Sequence, residues 1–219
     1  MVHPGHVIIP GRFNGPPDSA NGGVTCGVVA ASMASPVVEV TLRQPPPLDT
    51  FLRLDHNGLY DGERLIAEAG PGEVTVTPPP AVSVDDARAA RARFRGSAGH
   101  PFPTCFVCGT DRTDGLGLTP GPVTDDVVAV DWTPDSPDPV MVWAALDCPG
   151  GWSADLPGRP MVLGRMVCRI DAPPVAGEAH VVQGWLLGSE GRKVLTGSAL
   201  YSASGQVLAV AQATWITIA

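Results

Sequence analysis

Trp143-Ala144-Ala145-Leu146-Asp147-Cys148-Pro149-Gly150-Gly151-Trp152 is an apolar stretch interrupted by a single carboxylate. Asn21-Gly22-Gly23-Val24-Thr25-Cys26-Gly27-Val28-Val29-Ala30 is its counterpart near the N-terminus. Each reads as a short apolar helix lying between β-rich segments, and a helix apolar on all sides is an enclosed one. In such surroundings desolvation raises the pKa of Asp147. The glycines that open the other run leave bare amides at a helix N-terminus, where they can face a ligand. One acid opposite exposed amides points to acyl-transfer chemistry.

Outward from these two runs the chain reads mostly as strands. His6 to Phe13 is β-like and closes in the turn residues Asn14-Gly15-Pro16-Pro17-Asp18. The first helix covers about 22–34, with Asp18, Ser19 or Asn21 as cap and Pro36 as stop. Strands are expected at 37–43, 50–55, 64–69 and 73–77, and Val38-Glu39-Val40-Thr41-Leu42-Arg43 alternates as in a sheet with one wet face. Pro78-Pro79-Pro80 opens a linker holding a helix from Val84 to Phe94, capped by Ser83, acidic at its start and rich in arginine toward its end. Arg88, Arg91, Arg93 and Arg95 read as a solvated face, with the phosphates of a nucleotide-bearing substrate as the alternative. The second helix spans about 139–148 with Pro149 ending it, and strands are expected at 127–132, 161–170, 180–187, 193–202 and 207–218.

The halves share one order: strand, apolar helix, then about four strands. Val40-Thr41-Leu42-Arg43-Gln44-Pro45-Pro46 matches Cys168-Arg169-Ile170-Asp171-Ala172-Pro173-Pro174 at a spacing of 170 − 42 = 128. This divides the chain into a first repeat (1–80), a linker with a short helix (81–104) and a second repeat (105–219). The fold class is α+β, with two fused antiparallel sheets, each wrapped around a central helix. One such unit leaves a sheet edge and a flank in need of a partner, and fusing two copies supplies both.

The 219 residues, 44% hydrophobic and 16% charged, suffice for a large core. A formal charge of −8 with only 14 Lys and Arg argues against nucleic acid as a partner. No apolar run is long enough to span a membrane, Met1-Val2-His3-Pro4-Gly5-His6 does not resemble a secretion leader, and five cysteines are sparse for a disulfide scaffold. Free thiols and a cytoplasmic location are expected.

Cys105-Phe106-Val107-Cys108-Gly109 followed by Gly115-Leu116, with a central helix opening on a polar-Gly-Gly triplet, resembles the acyl-CoA thioesterases of the double hotdog fold, in particular the phenylacetate-degradation type. The resemblance covers nearly the whole chain through short motifs. It implies that a glycine amide of one helix polarises the thioester carbonyl while an acid on the facing helix, nine residues after a His, acts as nucleophile or base. Here Asn21 stands in the place of that His, and the residue nine further on is Ala30. Nine residues before Asp147 is Asp138, followed by Pro139-Val140 in place of two glycines. The resemblance thus implies one complete site, formed by Asn21, Gly22 and Gly23 of the first copy with Asp147 of the second. Its substrate would be an acyl-CoA or other acyl thioester, with no cofactor. The alternative is a non-catalytic acyl-CoA or lipid-binding hotdog protein. A second alignment sets Asn21-Gly22-Gly23 beside Pro149-Gly150-Gly151 and would put Asp147 before its helix.

Other residues carry weaker signals. Cys105 and Cys108 have the spacing of half a zinc site, with His100, Cys148 and Cys26 as conceivable completing ligands, but no second Cys-x-x-Cys or close His pair follows. A structural loop without metal is the expectation. His3, His6, His56, His100 and His180 are scattered, and no serine or cysteine sits in a nucleophile elbow. The five tryptophans read as core. A pseudo-dimer within one chain leaves both a monomer and further pairing open.

Overall fold

A computed structural model describes residues 2–3, 5–55 and 58–218; His56 lies outside them. The strands are β1 (Val2–His3), β2 (His6–Val7), β3 (Val37–Leu42), β4 (Leu52–Asp55), β5 (Gly58–Asp61), β6 (Arg64–Pro71), β7 (Gly121–Pro122), β8 (Val127–Trp132), β9 (Met161–Ile170), β10 (His180–Glu190), β11 (Lys193–Tyr201) and β12 (Val207–Thr217). The helices are α1 (Gly22–Ala30), α2 (Val84–Ala90) and α3 (Pro139–Trp152).

All the strands join one 12-stranded antiparallel sheet in the order β1-β2-β4-β5-β6-β3-β9-β12-β11-β10-β8-β7. The halves run in corresponding order outward from the β3–β9 seam, so every strand of one half has a counterpart in the other. The seam ladder pairs Glu39 with Val167, Val38 with Cys168 and Val40 with Met166. Glu39 and Val167 are 128 apart (167 − 39 = 128), the same spacing as Leu42 and Ile170 in the repeat. The pseudo-two-fold axis therefore passes through this pair. The two sheets expected from sequence are halves of a single sheet, because strand edges that would each need a partner hydrogen-bond to one another.

α1 and α3 lie against each other and against this sheet. A Cβ on Gly23 would stand 2.6 Å from Asp147 Cβ and 2.7 Å from the Trp143 carbonyl, and one on Gly27 would stand 2.9 Å from Val140 Cα. The contacts run in opposite directions along the two helices, which are thus antiparallel and touch backbone to backbone. Gly-Gly-Val-Thr-Cys-Gly-Val-Val-Ala is a poor helix former by propensity, so burial rather than intrinsic preference holds α1.

Several elements depart from expectation. Glu73–Thr77 is not a strand: Val74 and Val76 pack on the outer face of the second half, beside Trp185, Tyr201 and Val210. There the linker and α2 cover a face that would otherwise meet water, which explains the long buried runs of β10 and β11. Pro149 does not end α3, which continues to Trp152 and is capped at Ser153. Space and partners for that last turn come from the sheet. The Ser198 hydroxyl donates to the Leu146 carbonyl at 2.7 Å, and Gly184 lets β10 approach the Pro149 carbonyl. This extent also rejects the second alignment, since Gly150-Gly151 closes α3 and Asp147 lies within it. α2 stops at Ala90 and breaks into short 3₁₀ turns, α1 stops at Ala30, and only His6–Val7 of the first β-like run pairs as a strand. β1, β5 and β7 were not anticipated.

Candidate functional site

Asn21 sits where three parts of the molecule meet. Its backbone amide donates to the Phe13 carbonyl at 2.8 Å, which fixes the entry to α1. Its side-chain Oδ1 accepts from the Val24 amide at 2.9 Å, an N-cap interaction. With its oxygen used in this way, Nδ2 points away from the helix, donates to Asp147 Oδ2 at 2.9 Å and lies 3.8 Å from Cys105 Sγ.

Asp147 is 2% exposed, in the middle of α3. Its Oδ2 accepts a second hydrogen bond, from the Gly23 amide at 3.0 Å. Its Oδ1 is buried with no hydrogen-bond partner among the described residues. Desolvation pushes the carboxyl up to about 7 and the neighbouring Cys105 adds to the rise, while the Gly23 amide and the Asn21 side chain oppose it. One oxygen is thus clamped and the other is free.

The structure brings all four sequence-selected residues together. Gly23 is occupied by Asp147, however, and also provides the close helix contact described above. Gly22, at the first helical position, has no partner for its amide within the helix, and among the described residues no acceptor meets it.

Asn21, Gly22 and Asp147 line a cavity of about 670 Å³. Its walls come from both halves: Leu42, Pro45 and Pro46 from the first, Met161, Leu163, Trp215 and Ile216 from the second, and Phe102 between them. The apolar lining suits a hydrocarbon chain, and the exposed guanidinium groups of Arg43, paired with Glu68, and of Arg192, donating to the Thr217 carbonyl, stand at the same cavity.

The expected arginine face is mostly engaged. Arg91 binds Asp131 and the Gly117 carbonyl, Arg93 the Pro122 carbonyl, and Arg88 Asp85 and Asp131. These contacts tie α2 and its continuation to β7, β8 and the preceding loop. All five tryptophans are buried.

Of the conceivable ligands to Cys105 and Cys108, Cys148 joins them, and the three sulfurs lie within 4.8 Å of one another. His100 does not. Its Nδ1 accepts from the Phe102 amide at 3.0 Å, so its proton is on Nε2, which donates to the Cys108 carbonyl at 3.0 Å. Cys26 lies outside the group. Asp147 and Cys148 are neighbours in one turn of α3, an adjacency that was visible in the sequence. What was not visible is that the Cys105–Cys108 loop folds against that turn.

No protein-family model matches the chain, and no curated protein matches it in sequence. Solved structures do match. A conserved protein of unknown function with a hot dog fold from Alicyclobacillus acidocaldarius superposes with a TM-score of 0.66 at 13% identity, over 98% of this chain and 92% of that one. The chain has the hotdog fold. A tesB protein from Mycobacterium avium subspecies paratuberculosis matches over 100% of this chain and 95% of its own, with a TM-score of 0.63 and 12% identity. An acyl-CoA thioesterase II from Mycobacterium marinum gives 0.62 and 11%, over 100% and 94%. This chain therefore shares the hotdog architecture of those structures along its whole length. No helix among the described residues is long and apolar enough to cross a membrane.

Proposed function

We propose that this chain hydrolyses an acyl thioester, with an acyl-CoA as the substrate class and the cavity between the two repeats as the place of reaction. The observation that carries the proposal is the Asp147 carboxylate. One of its oxygens is held by Asn21 and Gly23, and the other lacks a partner, in a buried residue that lines an apolar cavity. The thioesterase architecture supports the same reading.

In the mechanism, Oδ1 of Asp147 takes a proton from water, and the water oxygen attacks the thioester carbonyl. The Gly22 amide, rather than the occupied amide of Gly23, donates to the oxygen as it gains charge; one such donor is typically worth about 3 kcal/mol. The carbon–sulfur bond breaks, the sulfur leaves as thiolate and recovers the proton held by Asp147. A carboxyl near neutrality suits both halves of that proton traffic. The acyl chain lies along Leu163, Met161 and Trp215, and Arg43 and Arg192 meet the anionic carrier. Asn21 is a positioning residue, since its side chain acts by holding Oδ2.

The test is thiol release from short, long and aromatic acyl-CoAs by the wild type and by Asp147→Ala. Release lost in the variant supports the proposal. Equal release from both removes Asp147 from the chemistry, and saturable binding without release from any substrate makes the chain a ligand-binding hotdog protein.

A further inference from the structure

The mechanism above leaves unused the thiols that flank its carboxylate. Cys105, Cys108 and Cys148 are 3%, 2% and 7% exposed, all three line the cavity, and Cys105 Sγ lies 3.8 Å from Cys148 Sγ. Sulfurs bound at about 2.3 Å to one tetrahedral ion stand roughly 3.8 Å apart, so this pair already has the spacing of two corners of a zinc site. The third sulfur, within 4.8 Å of both, needs a shift of no more than about 1 Å.

The thiolate is the form of cysteine that binds metal. The Cys105 sulfur is the one in hydrogen-bonding range of Cys148. Asn21 Nδ2 approaches the same sulfur. Gly109 permits the tight turn, because a Cβ there would fall 2.5 Å from the Cys105 carbonyl oxygen, and its amide bonds that carbonyl at 2.8 Å. Trp152 Nε1 is buried with no hydrogen-bond partner among the described residues.

We propose that Cys105, Cys108 and Cys148 bind one zinc ion through three thiolates, with the fourth coordination position facing the cavity beside Asp147. Three protein ligands with one open position is the arrangement of zinc sites that accept water or substrate. The ion links the Cys105–Cys108 loop to α3 at the turn that carries Asp147.

The test is the metal content of the purified full chain, followed by cobalt titration of the metal-free chain. One zinc per chain is expected, together with a strong thiolate-to-cobalt charge-transfer band. Cys148→Ser should weaken binding by more than the roughly 10- to 100-fold that outer-shell partners cost. Cys168→Ser, which alters a buried thiol outside the cluster, should bind as the wild type does. If Cys148→Ser fails to fold, the intensity of the wild-type cobalt band decides the matter, because it scales with the number of thiolates. Metal-free purified chain that gives no such band, or a folded Cys148→Ser that binds as tightly as the wild type, overturns the proposal. Neither readout involves turnover, so the site stands or falls separately from the thioesterase reading.

Discussion

The N-terminus of α1 and the N-terminus of α3 are related by the duplication, yet they face different things. At the first, Asn21 caps the helix, two glycines follow, and the acid of the partner helix lies within hydrogen-bonding distance. At the second, Asp138 caps through the Val140 amide at 2.9 Å, Pro139 has no amide proton, and the position across the pair corresponding to Asp147 is Ala30. A cavity of about 470 Å³ also lies at this second end, but its lining mixes charged residues such as Arg12, Asp131 and Asp138 with Phe13 and Phe106. Both ends keep the fold's helix contact, through Gly23 at one and Gly27 at the other. Only the first has both an acid and a free amide. Packing is thus conserved by the pseudo-symmetry, while an acid and a free amide occur together at one end.

The largest expected effect breaks this asymmetry directly. Asp147→Ala should lower kcat for thioester hydrolysis by about 10²- to 10⁴-fold, the usual worth of a general base, whereas Asp138→Ala should leave kcat near the wild-type value. Comparable losses in the two variants would make the ends equivalent and sink the one-site reading.

Next comes a pH effect on stability, measured by denaturant unfolding on metal-stripped protein. The folded carboxyl of Asp147 keeps its proton up to about pH 7, whereas its ordinary value is 3.8. Its contribution is therefore fully present below about pH 4 and is lost as pH rises through 7, on the order of 4 kcal/mol at most. Asp147→Asn should flatten that slope and be the more stable form at pH 8. An unchanged slope would show that the carboxyl is ionised in the fold at ordinary pH.

A third effect probes the helix contact. Gly23→Ala forces a methyl group against Asp147 Cβ and the Trp143 carbonyl, and should cost about 1 to 3 kcal/mol in thermal or chemical unfolding. A neutral result would mean that the helices separate freely at this end.

The smallest effect sharpens the comparison of caps. Asn21→Ala and Asp138→Ala each remove an N-cap worth about 1 kcal/mol, but only Asn21→Ala should also lower kcat, since Asn21 holds Asp147 Oδ2. Equal kcat in the two variants would reduce Asn21 to a cap.

Much of this was open to reading in the chain itself. The uncharged, largely apolar character of Val24–Ala30 and Val142–Leu146 identifies helices that must be enclosed. The 128-residue spacing identifies the duplication, and the long strands of the second half were placed within a few residues. The pairing of Gly22-Gly23 with Asp147 was implied by the family resemblance, and of the two glycines it is Gly23 that meets the acid. The misses share a cause. Glu73–Thr77 has the composition of a strand but covers the back of another sheet, and Pro149 has the chemistry of a helix stop but is accommodated by Gly184 and Ser198 from distant strands.

The sequence by itself determined the repeat, the two apolar helices, the acid within one of them and the glycine pair that opens the other, because composition and periodicity are local and survive without knowledge of contacts. Tertiary structure alone decided which amide stays free, which carboxylate oxygen is clamped, and that Cys148 meets Cys105 and Cys108 rather than His100. Those outcomes depend on hydrogen bonds and close approaches between residues more than 40 positions apart, whose geometry is set only when the helices dock against the sheet.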